Sequence, residues 1–467
     1  MRPLDVGVIG CGTAGAAAAV FLARAGHQVT IYERVPAPKP IGAGITIQPV
    51  GLHVLCRLGL HNHVLARGAR IDRLLCETKE RKPILDLSYA SLGEGLFGIG
   101  LHRGVLFEGL VGAAQQHDNI TIKTGIEVID LERAPPRGRD GRDRRTWFVD
   151  NHRERHGPHE LVIVADGARS QLRDDTNTSK RVVPYPWGAL WFVGNDPSKR
   201  NPDGTREPRA STCHQVVDGS RRFVGMLPTG RLPVSRGRLE AGNDPTQPSP
   251  RLVSLFWSLR WDRVGEWRRA GLGAWKREVS EMAPEAEAIV DQIDDEGQVL
   301  FAQYHDVVMH RWHTRNVVYL GDAGHATSPQ LGQGCNLALW DAMTLNDALA
   351  DERQDLAAAL SEYTRRRSGH LGVYQVATRL LTPLFQSDTE EFGRIRDLAM
   401  PLMAKVPYLK RMMTLGMLGV LDGFFGETLT LELPVVVQRK PASATTAEKP
   451  QKAGKTRKET SAESPSA

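Results

Sequence analysis

The chain has 467 residues, 41% of them hydrophobic and 24% charged, with a formal net charge of +6. That length suggests roughly two to four domains with ample core, and the composition is that of an ordinary globular enzyme. From Arg439 to Ala467 there are seven lysines and arginines against three glutamates. Most of the positive charge therefore sits in the tail, and the rest of the chain offers no case for nucleic-acid binding.

Five cysteines, Cys11, Cys56, Cys76, Cys213 and Cys335, are dispersed, with no C-x-x-C pair and no zinc spacing. This fits a reducing compartment and no metal site. No apolar run approaches the ~20 residues of a spanning helix. A strand begins at Leu4, which leaves no room for a signal sequence, so cytoplasmic residence is the expectation.

In chain order, residues 4–9 predict a short buried strand, Thr13–Ala25 a helix and His27–Glu33 a second strand, a βαβ opening of a doubly wound sheet. A glycine-punctuated loop at 41–51 precedes a helix over 51–60. Residues 101–117 read as a helix and 120–132 as two strands. Residues 135–145 read as a solvated basic loop, and 147–167 as a hairpin leading into a buried strand. From about Val182 to Leu259, aromatic strand-like segments alternate with Pro/Gly turns, which predicts an inserted antiparallel sheet. Helical character returns at 271–293, Asn316–Asp322 is one more buried strand, and long amphipathic helices start at Leu337. Residues 401–426 are apolar but broken by glycines, and read as a packed terminal helix or as a contact with a membrane surface. The tail after 438 has no apolar periodicity and reads as disordered. The expected fold class is α/β. A Rossmann-like nucleotide domain at 1–180 and 296–350 is interrupted by a sheet domain at 181–295, then followed by C-terminal helices at 351–438 and a tail at 439–467.

Three glycine-bearing motifs carry the chemistry. In "GCGTAG" Gly10 permits a tight turn, Gly12 lets backbone approach a pyrophosphate, and Gly15 lets the helix sit close to the strand. The helix N-terminus faces the phosphates. Glu33 ends the next strand where its carboxylate suits ribose hydroxyls and repels a 2′-phosphate, which favours FAD or NAD over NADP at this site. In "LVIVADGARSQLR" a buried strand ends at Asp166-Gly167, with Ser170 and Arg173 following. In "VVYLGDAGHATSPQLGQGCN" a strand ends at Gly321-Asp322. A loop with Pro329, Gly332 and Gly334 then enters a helix near Cys335-Asn336, which exposes N–H groups suited to negative charge.

Taken in this order, these motifs resemble the flavoprotein monooxygenases of the aromatic-hydroxylase type. The resemblance covers about residues 1–430, and "LHRGVLFEGL" with Arg103 belongs to it. It implies FAD as cofactor, NADH or NADPH as electron donor, O2 as co-substrate, and hydroxylation of a ring through a flavin C4a-hydroperoxide. It places Gly10, Gly12 and Gly15 at the FAD pyrophosphate and Glu33, with Arg34 beside it, at the adenosine ribose. Arg103 falls near the phosphate and ribityl region, Asp166 at a groove shared with the nicotinamide, and Asp322 on the ribityl chain. The backbone of Pro329, Gly332, Gly334, Cys335 and Asn336 faces the flavin ring, and Gly44 belongs to the loop that meets it. His325 packs or orients the loop rather than serving as a base. Val50 stands where the family commonly has asparagine.

No second βαβ unit is present for the nicotinamide, and no catalytic side chain is nominated. Trp191, Met226, Phe256 and Trp257 are candidates for the substrate pocket, although core of the sheet is the commoner role for such residues. The absence of charge in "PYPWGALWFV" points to an apolar ring substrate. The alternatives are a related flavoenzyme (halogenase, epoxidase or reductase) and a non-enzymatic nucleotide-binding sensor. The paired-tryptophan halogenase motif is absent.

Overall fold

The computed structural model describes residues 2–40, 42–133, 145–173, 179–198, 207–233, 249–353 and 355–433. The basic loop expected at 135–145, apart from Arg145, and the tail expected at 439–467 lie outside them. β1 (Asp5–Ile9), α1 (Thr13–Arg24) and β2 (Gln28–Glu33) make the expected βαβ unit. β3 (Gly44–Ile47) and α2 (Pro49–Arg57) follow, so the stretch read as a glycine loop contains a strand, and its helix begins two residues early. Next come α3 (His61–Arg67), β4 (Ala69–Ile71), β5 (Arg73–Thr78), β6 (Pro83–Ser88), β7 (Gly98–His102) and α4 (Arg103–Gln115). The helix expected from 101 starts only at Arg103 because its first residues belong to the fully buried β7.

The chain continues through β8 (Ile120–Thr124), β9 (Val128–Arg133), β10 (Thr146–Asp150), β11 (Arg155–His159) and β12 (Leu161–Val164). The strands β13 (Ser179–Asn195), β14 (Thr212–Asp218), β15 (Arg222–Gly230) and β16 (Leu252–Arg260) come after these. Three short helices, α5 (Val264–Ala270), α6 (Leu272–Met282) and α7 (Glu287–Val290), precede β17 (Leu300–Met309), β18 (His313–Thr314) and β19 (Val317–Tyr319). The last elements are α8 (Asp322–His325), α9 (Gly334–Asp351), α10 (Leu356–Phe385), α11 (Glu390–Lys405) and α12 (Pro407–Leu418).

The first sheet has the order β18-β19-β12-β1-β2-β8, with β19, β12, β1, β2 and β8 all parallel. The chain builds outward from β1 to β2 and β8, then returns to the other side of β1 with β12 and β19. That reversal puts a topological switch point at β1 and β12, and ligands gather at the carboxyl ends of strands there. Helix α1 is buried from Ala14 to Ala23. Its alanines combine the highest helix propensity with the smallest side chain, which lets it pack between this sheet and its neighbours.

The second large sheet has the order β17-β13-β16-β15-β14-β5-β6. It extends beyond the 181–295 expected for it, because β5 and β6 join one edge from residues 73–88 and β17 joins the other. It is not purely antiparallel: β5 and β14 pair in parallel, Cys213 opposite Leu74. One of its faces packs on α6 and α7 through Trp257, Met226, Leu255, Trp275 and Val279.

The segment 401–426 is not one packed helix. α11 ends at Lys405, Pro407 restarts the chain as α12, and Leu402, Val406, Tyr408, Phe424 and Phe425 are exposed. No helix among the described residues is long and apolar enough to cross a membrane.

Candidate functional site

Three loops meet at the carboxyl ends of β1, β12 and β19. Gly10 turns with φ +96°, and a Cβ there would lie 2.5 Å from the carbonyl oxygen of Ala165, so the first two loops touch backbone to backbone. A Cβ on Gly15 would lie 2.1 Å from the Gly10 carbonyl, which explains the third glycine as close packing of α1 on the turn. Gly12 differs, because a Cβ there would meet nothing within 4 Å. No side chain caps α1 at Gly12. Its first N–H groups and the positive end of its dipole therefore face open space, a ready anion site.

Glu33 stands beside this turn. Cys11 N–H donates to Glu33 Oε2 and Val35 N–H to Oε1, both at 2.9 Å. Two backbone bonds hold the carboxylate in place, and each oxygen keeps a free lone pair for a ribose hydroxyl. Burial, then the charge of Glu33, pushes the Cys11 thiol up to about 12, so it stays protonated. Arg34 is exposed and lies near enough to Asp166 for its charge to act on that carboxylate.

At the end of β12, Asp166 Oδ1 is buried without a hydrogen-bond partner among the described residues. Burial raises the Asp166 carboxyl above its usual range, against the pull of Ser170, Arg173 and Arg34. An orphaned buried acceptor costs roughly 1–3 kcal/mol until a donor arrives. The same loop is pinned to the next by Arg173. Its guanidinium donates to the carbonyls of Ala323 at 2.6 Å, Ser170 at 2.8 Å and Ala168 at 2.9 Å. Residues 150 positions apart are thus tied by one buried side chain.

Asp322 is exposed at the mouth of the third loop, and a Cβ on Gly334 would lie 3.9 Å from its Oδ1. Gly332 sits in the left-handed region at φ +61°, exposed, with nothing within 4 Å of a Cβ. Pro329 and Gly334 are also exposed, and no side chain caps α9. The N-terminus of α9 is thereby a second set of free donors. Gly321 brings it beside the first, since a Cβ there would touch Ala14 of α1 at 3.0 Å and Ala338 of α9 at 3.3 Å. Burial pushes the Cys335 thiol to about 12, while Arg103 and Asp322 act on it with opposite signs, so those three residues converge.

Asn336 points elsewhere. Its Oδ1 accepts from Gln48 N–H at 2.9 Å, and its Nδ2 donates to the carbonyls of Thr46 at 3.0 Å and Gly332 at 3.1 Å. The side chain is spent on holding β3 against the Gly332 turn. Gly44 is likewise buried, with its N–H on Ser254 Oγ at 3.1 Å, and it seats β3 on the second sheet instead of lining an open cradle. Arg103 lies over Gly42, with its Cδ 3.1 Å from where a Cβ would stand. Val50 is buried against Gly419.

A network that sequence reasoning missed lies under the third loop. Asp341 is fully buried and accepts from Gly321 N–H at 2.7 Å, His325 Nε2 at 2.6 Å and Arg367 Nε at 2.7 Å. Burial pushes its carboxyl up, but His325 and Arg367 more than offset this and hold it at about 2. Arg367 donates in turn to His370 Nδ1, and His370 Nε2 donates to the Gly419 carbonyl at 2.8 Å. Burial, then Arg367, drives the His370 imidazole well below its ordinary range, consistent with that neutral tautomer. His325 therefore orients the loop, as expected. Only the i, i+3 spacing of Arg367 and His370 on one helix hinted at the rest.

The four substrate candidates split between two faces. Phe256 and Trp257 are consecutive in β16, and consecutive strand residues point to opposite sides. Trp257 and Met226 face α6 and α7 and are core, which corrects their reading as pocket residues. Trp191 and Phe256 lie on the other face, with ring centroids 5.2 Å apart, on the side where Ser254 meets Gly44. That face reaches the third loop through Gln386, which donates to the Gly188 carbonyl at 3.3 Å and accepts from Gln330 Nε2 at 3.0 Å. His305 of β17 lies within electrostatic reach of the second and third loops. Burial, then the charge of Arg169, pushes its imidazole below the ordinary 6.5, and Arg173 and Asp322 act on it too. Nothing in its sequence context marked it. Replacing Trp257 with alanine is expected to cost roughly 3–5 kcal/mol of stability. Trp191→Ala should cost less and change turnover instead, and chemical denaturation with steady-state rates on both variants checks this.

Two uncapped helix ends, a held carboxylate, an exposed carboxylate and an orphaned acceptor at one switch point form a cradle for a nucleotide with a long polyol and phosphate chain. FAD fits the residues present: Gly12 and Gly332 leave it room, and Asp166 lacks only a donor. Residues 3–372 match the family model described as FAD binding domain, and the chain belongs to that family. It is an FAD-dependent monooxygenase of the aromatic-hydroxylase type, an oxidoreductase.

Among its relatives, the FAD-dependent urate hydroxylase of Klebsiella pneumoniae is 26% identical over 77% of this chain and 85% of the relative. The 3-amino-4-hydroxybenzoate 2-monooxygenase of Streptomyces cremeus is 28% identical over 74% and 78%. The aurachin C monooxygenase/isomerase of Stigmatella aurantiaca is 28% identical over 77% and 84%. The crystal structure of Klebsiella pneumoniae HpxO complexed with FAD and uric acid matches with a TM-score of 0.69, 19% identity and coverage of 90% and 98%. That of P. aeruginosa PqsL with 2-aminobenzoylacetate matches with a TM-score of 0.68, 20% identity and coverage of 85% and 99%.

Proposed function

We propose that the enzyme hydroxylates a largely apolar aromatic ring, with NADH or NADPH as reductant. The overall balance is ring–H, O2, NAD(P)H and a proton going to ring–OH, NAD(P)+ and water. A bound flavin would supply the redox chemistry, two-electron exchange between the nicotinamide and oxygen. The protein's part is binding, orientation and exclusion of water. The turn Gly10–Gly15 and the α1 N-terminus hold the pyrophosphate, Glu33 the adenosine ribose and Asp322 the ribityl hydroxyls, with Arg34 and Arg103 flanking. Asp166 borders the groove where the nicotinamide approaches. The N–H groups of Gly334–Asn336 and the dipole of α9 would stabilise negative charge developing on a reduced ring, where fixed donors are most effective. Trp191 and Phe256 offer an aromatic wall for the substrate. The observation that carries this reading is the pair of uncapped helix N-termini meeting at Gly321, opposite an aromatic sheet face.

The direct test is product analysis in labelled oxygen gas with an aromatic substrate panel, following NADH and NADPH consumption in parallel. One labelled oxygen in the product and substrate-stimulated consumption are expected. Consumption with no oxygenated product from any ring would sink the proposal. Asp322→Ala is expected to purify largely without flavin, because a buried ribityl hydroxyl loses a charged acceptor worth roughly 1.5–3 kcal/mol. Fluorescence titration with FAD checks it, and unchanged affinity would argue against this placement of the loop.

A further inference from the structure

Beyond the reaction, the C-terminal helices carry a surface that nothing in the described residues covers. On α11 the buried residues are Gly393, Arg396 and Met400. The opposite side shows Leu398 at 69% exposure and Leu402 at 53%, one turn apart, with Val406 one turn further. This is the reverse of a surface helix in a monomer, whose outer side is polar. The apolar strip continues into a turn. Tyr408 is 61% exposed, and its hydroxyl lies 3.9 Å from the Cβ position of Gly426. Phe424 and Phe425, just before that glycine, are 60% and 90% exposed. A double phenylalanine held out at a turn beside a leucine strip is a contiguous apolar patch, and such patches mark interaction sites.

Charge decides the occupant. From Leu398 to Phe425 there are three cations, Lys405, Lys410 and Arg411, and one acid, the half-buried Asp422. The nearby acids of α11, Glu390, Glu391 and Asp397, all precede this stretch, and Asp397 is engaged by Arg396. In the turn, Glu427 accepts from Phe425 N–H at 3.2 Å. A second copy meeting this patch about a two-fold axis would set the three cations against themselves. A lipid surface complements both halves, with acyl chains for the apolar strip and acidic headgroups for the cationic rim. We propose that α11, α12 and the Phe424–Phe425 turn dock the enzyme on anionic membrane surfaces, lying in the interface without crossing it.

The test is flotation of the full-length flavin-loaded protein with vesicles. One set contains phosphatidylcholine alone, and the other equal parts phosphatidylcholine and phosphatidylglycerol. Binding to the anionic vesicles only, weakened by salt, is expected. Phe424→Ser with Phe425→Ser, and separately Lys405→Gln with Arg411→Gln, should each lower the partition coefficient by about tenfold or more. Flavin content and NAD(P)H oxidation in solution should stay as in wild type, which shows that the variants fold. Binding to neither vesicle overturns the proposal, as does equal binding to both. So does loss of binding only when residues 439–467 are removed, with both patch variants unchanged. Light scattering completes it: a dimer that the phenylalanine variant splits, without vesicle binding, would assign the patch to a second copy and overturn the membrane.

Discussion

Replacing Asp341 with alanine is expected to destabilise the protein by roughly 3–5 kcal/mol. The reason is the company the carboxylate keeps. Arg367 is as fully buried as Asp341, and without its partner it becomes an uncompensated charge in the interior. Gly321 N–H and His325 lose their acceptor at the same time. Gly321 is where the N-termini of α1 and α9 meet, so flavin affinity should fall with stability. Asp341→Asn keeps the shape and removes the charge, so it should fall between alanine and wild type.

The acid dependence has a definite sign. The folded-state pKa is depressed from 3.8 to about 2. The stability this group contributes is therefore fully present above its unfolded pKa of about 4, and it is lost as pH falls through the folded value. Denaturant unfolding of wild type and the asparagine variant should show a gap that is constant above about pH 4 and closes toward pH 2. A loss under about 1 kcal/mol for the alanine variant would mean that water reaches the network and the burial is not as described.

Gly332→Val should abolish most flavin-dependent turnover. Two causes act, and they separate experimentally. The residue sits at φ +61°, where a β-branched side chain is strained by about 1–3 kcal/mol. Its Cβ would also project into the open space that the ring is proposed to occupy. Gly332→Asn tolerates the left-handed backbone but still adds a side chain. If strain dominates, asparagine should retain flavin while valine loses it. If the space belongs to the ring, both should reduce slowly with NAD(P)H and release more peroxide, because substrate and flavin are no longer held in register. Stopped-flow reduction and peroxide yield, with and without substrate, give the measurement. Wild-type behaviour in both variants would remove this loop from the flavin.

The nucleotide half of the molecule was legible in the linear chain because its chemistry is local. A turn between a strand and a helix needs its glycines at fixed steps, and Gly10, Gly12 and Gly15 each have the distinct surroundings their spacing implied. Glu33 falls beside the turn because β2 pairs with β1 in parallel, which the βαβ pattern already dictates. The buried apolar strands ending at Asp166 and Gly321 announced themselves in the same way.

What the tertiary structure decided are the relations between distant segments, for which a sequence period carries no information. Side-chain alternation requires Phe256 and Trp257 to face apart, yet which of them lies on the side away from α6 and α7 depends on where those helices pack. β5 and β6 joined the second sheet from residues 73–88, since strand pairing follows edge availability across the whole fold. Asn336 and Gly44 stand within motifs that suggested ligand contact, and only their partners, Gln48, Thr46 and Ser254, show that they fasten β3. The union of Asp341, His325 and Arg367 could not be read from spacing, because a buried charge is stable only through the groups that three-dimensional packing brings to it.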